Sequence, residues 1–115
     1  MVNRVVTGAH YGLGDWLVQR LSAVLMLLYV VVLLAALGYS APSGYAAWKA
    51  FAAQSWLRLS SFLFVVALAW HAWVGMRDVL MDYVKPTGMR LALEALVVVV
   101  LIAYAGWSFD ILWGL

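Results

Sequence analysis

Residues 57–86 read LRLSSFLFVVALAWHAWVGMRDVLMDYVKP, an apolar run with a histidine near its middle and a polar turn at its end. The apolar part has the length of about 20 residues that an α-helix needs to cross the hydrocarbon core of a bilayer. Pro86 disfavours helix at the residue before it, so we expect the helix to end there. We therefore predict a membrane-spanning helix over residues 57–80, with His71 deep inside it.

The composition of the whole chain also indicates a membrane protein. Hydrophobic residues make up 68% and charged residues 10% of the 115 positions, against about 45–50% and about 25% in soluble domains. A water-soluble fold of this size has too little interior to hide so much apolar surface. The chain has no cysteine, which excludes disulfides and iron–sulfur ligation. The formal charge of +2 includes no basic run, so we expect no nucleic acid as a partner.

Two further apolar runs, at residues 16–37 and 91–113, meet the same length requirement. Only a short turn around Pro86 and Gly88 separates the second and third runs, so these two helices should be antiparallel neighbours. The stretch ahead of the first run is interrupted by polar residues, so we expect no cleaved signal peptide. We predict an all-α integral membrane protein with three transmembrane helices in one domain, residues 1–115.

The loop between the first two spans contains a second helical signal. Tyr45, Trp48 and Phe51 recur at helical spacing after a cluster of helix-breaking residues, which predicts a short amphipathic helix lying at the membrane surface. The breakers in this loop are Gly38, Pro42, Ser43 and Gly44.

Lysine and arginine are distributed unevenly between the two ends of the predicted spans. The side that includes the N-terminus carries Arg4, Arg20, Arg77, Lys85 and Arg90. The other side carries Lys49 and Arg58. Because basic residues are in excess on the cytoplasmic side of membrane proteins, we predict a cytoplasmic N-terminus and a C-terminus outside.

His71 is the most informative polar residue, because a titratable group at membrane depth is costly and usually faces a partner, water or a cofactor. One interpretation is a hydrogen bond to a neighbouring helix. The other is axial ligation of haem iron by the neutral imidazole, with Gly75 leaving space for a flat macrocycle or a second helix. The residues alone favour neither. The other histidine, His10, precedes the first span, so a second haem ligand would come from another chain or from His71 of a second copy.

One stripe of the second span connects His71 with Gly75, Asp78 and Asp82 at spacings of four, three and four. Asp82 and Tyr83 follow His71 by 11 and 12 residues, which places them about 16–18 Å nearer the cytoplasmic face. A carboxylate beside a phenol at this depth suits a quinone, whose carbonyl oxygens need hydrogen-bond donors and protons on reduction. The competing interpretation of Tyr83 is an ordinary interfacial tyrosine, which the residues alone favour.

Two more charged residues have competing interpretations. Arg20 is either a positive-inside residue whose head group extends to the surface, or a counter-charge for a carboxylate such as a haem propionate or Asp15. For Asp78 we expect pairing with Arg77 or Arg90 at the surface.

The stretch HAWVGMRDVLMDYVKP, residues 71–86, resembles a motif of the hydrophobic membrane-anchor subunit of bacterial succinate dehydrogenase, the smaller D-type anchor of respiratory complex II. That motif has a haem-ligand histidine, a glycine, and Asp-Tyr before a Lys-Pro turn. GDWLVQRLSAVLMLLYV, residues 14–30, is similar to the family's Asp-aromatic-x-x-x-Arg start of the first helix, and GYAAWKAFAA, residues 44–53, to its first loop. With the three-span layout, the resemblance covers nearly the whole chain. Gly14 departs from it, since some members carry a histidine there.

The resemblance implies a role for four residues. His71 matches the axial ligand to the iron of a b-type haem, which this subunit shares with the C-type cytochrome b anchor subunit that supplies the other ligand. Tyr83 matches the tyrosine that hydrogen-bonds ubiquinone, with Asp82 beside it. Arg20 matches an arginine near the haem propionates.

The resemblance also implies a location and partners. The chain would lie in the bacterial inner membrane with its N-terminus cytoplasmic and its C-terminus periplasmic, and the iron–sulfur and flavoprotein subunits would dock on the cytoplasmic side. Succinate oxidation would occur on the flavoprotein subunit, so we expect no catalysis from this chain alone. The alternative is a small homo-oligomeric membrane protein, transporter-like or structural, without a redox centre. In that case His71 and Asp82 would line a pore or link helices.

Overall fold

The computed structural model describes the backbone of residues 8–115 and the side chains of residues 12–115. Over this range the chain forms four helices and no strand: α1 (Gly8–Ser40), α2 (Gly44–Ala52), α3 (Ser55–Tyr83) and α4 (Thr87–Trp113). The three long helices have the length and apolar composition to cross a membrane. This confirms the predicted all-α architecture, with three spans and a short helix in the first loop. Arg4 and the side chain of His10, both used above, lie outside the described part.

Each long helix extends beyond the apolar run that predicted it. α3 has 29 residues, which corresponds to about 44 Å, whereas the hydrocarbon core of a bilayer is about 30 Å thick. A helix satisfies its own backbone hydrogen bonds, so it has no reason to stop where the side chains become polar. The ends of α3 therefore reach the polar region of a membrane, and Asp82 and Tyr83 lie at one of these ends.

The break between α1 and α2 lies three residues later than Gly38 suggests. Gly38 is inside α1, because a single glycine costs only about 1 kcal/mol in a helix and lipid offers no other partner for the backbone. The helix ends at Ala41, which has a left-handed φ of 41° and donates its N–H to the carbonyl of Leu37 at 2.8 Å. Pro42 then prevents continuation. Gly44 begins α2 with a φ of 82°, a conformation that favours glycine.

Helix α3 is the centre of the fold. It packs against both α1 and α4, whereas these two helices scarcely touch each other within residues 8–115. The chain measures 70 × 28 × 20 Å, an elongated and open arrangement. The apolar side chains that are buried in this range are Phe51, Leu57, Val74 and Leu80. Most other apolar side chains face outward, where lipid or partner subunits can cover them.

Candidate functional site

His71 lies on α3, half-buried against α1. Its Nδ1 atom is 2.9 Å from the hydroxyl oxygen of Ser22, which lies on α1. Ser22 is 6% exposed and is the only buried polar residue within the described part of the chain. The hydrogen bond to a neighbouring helix, one of the two interpretations of His71, is therefore present.

The surroundings of Ser22 determine which ring nitrogen of His71 remains available. Ser22 has a single hydroxyl proton, which it donates to the carbonyl oxygen of Gln19 at 3.1 Å. With that proton on the carbonyl of Gln19, the hydroxyl oxygen is free to accept from Nδ1–H of His71, and this hydrogen-bond network is the basis on which we assign the proton of the neutral imidazole to Nδ1. Nε2 carries the free lone pair and has no hydrogen-bond partner among residues 12–115. One ring thus links two helices and still offers a ligand nitrogen.

Two further contacts continue this polar interface toward the Tyr83 end of α3. Asp15 on α1 forms an ion pair with Arg77 on α3. Between this pair and Ser22, the side chain of Gln19 lies over Gly75, where an added Cβ would meet its Nε2 at 3.9 Å. That distance is an ordinary van der Waals contact, so α1 would also tolerate a small side chain at this position. Together these contacts set the antiparallel register between α1 and α3.

The ion pairing differs from the expectation for Asp78. Arg77 pairs across the interface with Asp15 and not with its neighbour Asp78, because adjacent residues on a helix point in different directions. Arg20 also loses Asp15 as a candidate partner. Its guanidinium carbon instead lies 4.8 Å from the ring centre of Trp16, and the Arg20 side chain is exposed.

Asp82 and Tyr83 are the last two residues of α3, and both are exposed. Tyr83 is 80% exposed, so its hydroxyl is available to a ligand or to another subunit. Twelve residues of continuous helix separate it from His71, about 18 Å along the axis. α3 thus presents an imidazole and a carboxylate–phenol pair at two different depths, as the stripe in the sequence predicted.

The donor set around His71 fits one axial position of a haem. No group of three or more His, Cys, Asp or Glu side chains among residues 12–115 is placed to hold a metal ion, so His71 would be a single donor from this part of the chain. Metal-binding histidines usually donate their second ring N–H to a nearby oxygen, which fixes the tautomer and the ring orientation. Ser22 provides such an oxygen. A second axial ligand would have to come from elsewhere.

An apolar groove of about 590 Å³ lies between α1 and α3 and borders on Ser22. Its walls include Leu25, Phe64 and Trp70. The groove is open along one side, so it is a surface on which an apolar partner can pack and not a closed cavity.

Neither the role of Ser22 nor the pairing of Asp15 with Arg77 was predicted from the sequence. A signal was present, because Asp15, Gln19 and Ser22 are spaced by four and three residues and so share one face of α1. A serine in a span is common, however, and its meaning depends on which residue lies opposite.

Known proteins are similar to this chain over almost its full length. A family model described as succinate dehydrogenase/fumarate reductase transmembrane subunit matches residues 3–106. A protein of Coxiella burnetii with the name succinate dehydrogenase hydrophobic membrane anchor subunit is 36% identical over 113 residues, which cover 98% of this chain and 96% of the relative. Neither match supports the alternative of a homo-oligomeric membrane protein without a redox centre.

Proposed function

This chain belongs to the family of succinate dehydrogenase/fumarate reductase transmembrane subunits, and from that membership we propose that it is the hydrophobic membrane anchor of a succinate:quinone oxidoreductase. Its three membrane-length helices support an anchoring role. Its 36% identity to the Coxiella burnetii membrane anchor subunit, over nearly the full length of both chains, supports the same assignment.

The proposed location is the bacterial inner membrane. The excess of Lys and Arg at the end of the spans that includes Arg77, Lys85 and Arg90 supports a cytoplasmic N-terminus and a periplasmic C-terminus. In this orientation Asp82 and Tyr83 lie on the cytoplasmic side. The iron–sulfur and flavoprotein subunits dock there, and succinate oxidation takes place on the flavoprotein subunit.

His71 is one axial ligand of a b-type haem that this chain shares with a C-type cytochrome b anchor subunit. The observation that carries this assignment is the hydrogen bond between Ser22 and Nδ1, which leaves Nε2 free on a half-buried ring inside a span. Arg20 is a counter-charge for a haem propionate, because its guanidinium is exposed and Asp15 is paired with Arg77. When bound, the haem supplies one-electron redox chemistry, while the protein supplies position and electrostatics.

Tyr83 donates a hydrogen bond to a carbonyl oxygen of ubiquinone, and Asp82 orients the phenol or accepts a proton. The exposure of both side chains at the end of α3 is compatible with this role, because it leaves the phenol and the carboxylate accessible to a quinone. Partner subunits complete the quinone pocket. Electrons arrive from the iron–sulfur subunit, and two electrons and two protons convert ubiquinone to ubiquinol.

A reduced-minus-oxidised visible spectrum of the chain, purified in mild detergent with the proteins that accompany it, tests this function. We expect the signal of a b-type haem and three other subunits on a gel. Purification of intact chain without haem and without partners, from membranes that contain it, would contradict the proposal.

A further inference from the structure

We propose that Ser22 is a positioning residue for the haem-ligand nitrogen of His71. The hydrogen bond between its hydroxyl and Nδ1 fixes the plane of the imidazole ring and directs Nε2 toward the iron. This inference rests on the proposed role of His71 as an axial ligand.

The geometry leaves Ser22 little freedom. Its hydroxyl is 3.1 Å from the carbonyl oxygen of Gln19 and 2.9 Å from Nδ1 of His71, within hydrogen-bond distance of both. With its proton donated to the carbonyl, its oxygen is the acceptor for Nδ1–H. The side chain is 6% exposed, and no water competes for these bonds in lipid. The position of a serine hydroxyl oxygen also depends on a single torsion angle, χ1. The hydroxyl is therefore a rigid acceptor, fixed to the backbone of α1.

The link to α1 couples the imidazole to the packing of two helices. The ion pair of Asp15 with Arg77 and the hydrogen bond of Tyr29 with Ser61 join α1 and α3 on either side of the Ser22–His71 contact. That register is what places the hydroxyl of Ser22 opposite Nδ1. Ligand orientation thus depends on a contact between helices and not only on the helix that carries His71.

The hydrogen bond has an electronic consequence in addition to its steric one. An acceptor on Nδ1–H makes Nε2 more basic, which strengthens its bond to iron and favours the ferric state. Loss of such a hydrogen-bond partner usually weakens metal binding by about 10–100-fold. Removing the Ser22 hydroxyl should therefore weaken haem retention by a factor in this range and raise the midpoint potential of the haem.

Three variants at Ser22, measured in the assembled complex, separate the hydroxyl from the volume of the side chain. Ser22→Ala removes the hydroxyl, and Ser22→Val removes it while adding bulk. Ser22→Thr has nearly the shape of the valine variant and keeps a hydroxyl that can bond the carbonyl three residues back. Ser60→Ala is the matched control, because Ser60 donates to the carbonyl of Leu57 in the same manner without contacting His71.

The measurements are haem content, the electron paramagnetic resonance spectrum of the ferric haem, and the midpoint potential. We expect the alanine and valine variants to lose haem, to change the resonance spectrum and to raise the potential. The threonine variant and the Ser60 control should match the wild type. Unchanged spectra and potentials in haem-containing alanine and valine variants overturn the role of Ser22 and leave ligation by His71 intact.

Two other outcomes are also decisive. If the wild-type complex contains no haem, or if the haem spectrum does not change when His71 is replaced, both the proposed function and this inference are overturned.

If the Ser22 variants fail to assemble, the ¹⁵N spectrum of histidine-labelled wild-type chain tests the tautomer directly, with a His10→Gln variant to assign the signals. A proton on Nδ1 of His71 supports the inference, and a proton on Nε2 overturns it.

Discussion

The face of α3 that packs on α1 differs in chemistry from the face that packs on α4. Toward α1, three polar contacts between side chains cross the interface. They are the ion pair Asp15–Arg77, the hydrogen bond Ser22–His71, and the hydrogen bond Tyr29–Ser61 at 2.6 Å. These contacts are spread along most of the shared length of the two helices.

Toward α4, the interface is aromatic. The ring centre of Phe62 lies 5.5 Å from that of Phe109 and 5.8 Å from that of Trp113, and the latter two rings stack at 4.5 Å. No side-chain hydrogen bond or ion pair joins α3 to α4 within residues 12–115. The turn of residues 84–86 keeps the two helices together at the other end.

This difference shows what each interface can specify. In lipid, apolar contact alone gives little driving force, and helices associate through close packing and hydrogen bonds. Polar pairs have fixed partners, so they define one register of α1 against α3, whereas aromatic rings tolerate small shifts. The α1 interface is thus the one that can orient His71, and the α4 interface mainly stabilises the fold.

Replacement of His71 should have the largest effect, because it removes both a contact of the α1 interface and the proposed ligand. In His71→Ala we expect complete loss of the haem b signal from the visible spectrum of the assembled complex. His10→Gln, which changes the other histidine of the chain, should retain the signal. Persistence of an unaltered haem spectrum in His71→Ala would show that His71 is not a ligand.

Tyr83 lies at the end of α3 and makes no hydrogen bond to either neighbouring helix in the described part of the chain. Tyr83→Phe removes only its hydroxyl, and a lost hydrogen bond of about 0.5–1.5 kcal/mol corresponds to about a two- to tenfold decrease in quinone reduction. Succinate oxidation by an artificial acceptor should be unchanged. Tyr45→Phe is the control, since Tyr45 is also 80% exposed but lies on α2. Equal loss of both activities in Tyr83→Phe would indicate failed assembly instead.

Phe62 and Phe64 test the two faces of α3 directly, because they are two residues apart and contact different helices. An aromatic pair contributes about 0.5–1.5 kcal/mol to stability. Phe62→Ala loses two such pairs, and their loss should lower the free energy of unfolding in detergent by about 1–3 kcal/mol. Phe64→Ala loses one pair, its stack on Tyr29 at 4.6 Å, and should cost about half as much. Phe62→Ala should leave the haem spectrum unchanged. A spectral change as large as that of the Ser22 variants would refute the division between the two interfaces.

The hydrogen bond between Tyr29 and Ser61 should give the smallest effect. In a double-mutant cycle of Tyr29→Phe and Ser61→Ala we expect a coupling of about 0.6 kcal/mol in the free energy of unfolding, the average for such bonds between membrane helices. The phenylalanine keeps the stack on Phe64, so the cycle isolates the hydroxyl. Tyr104→Phe, at an exposed position of α4, is the control for loss of a phenol. A coupling of zero would mean that this pair does not help to specify the register.

The spans and the loop helix were predictable because they depend on local properties. Each apolar run is long enough to cross a bilayer, and Pro86 ends the helix before it wherever the other helices lie. Helix ends were less predictable. Gly38 lies inside α1 since the cost of a glycine is smaller than the cost of leaving backbone groups unsatisfied in lipid.

The sequence predicts those residues of the candidate site that are polar and lie within or at the end of an apolar run. His71 stands out in a long apolar run, and Asp82 with Tyr83 stands out at its end. The family motif adds their proposed roles. Ser22 could not be found in this way, because a serine is unremarkable in a span until its neighbour on another helix is known.

Three membrane-length helices, a short helix between the first two, and the position of each polar group along its own helix are all predictable from the sequence. These follow from hydropathy, length and turn chemistry, which act over a few neighbouring residues. The pairing of Arg77 with Asp15 and the hydrogen bond of His71 Nδ1 with Ser22 became visible only in the folded chain. Both depend on the register and rotation of α1 against α3, which are set by contacts between residues that are 32 or more positions apart in the chain.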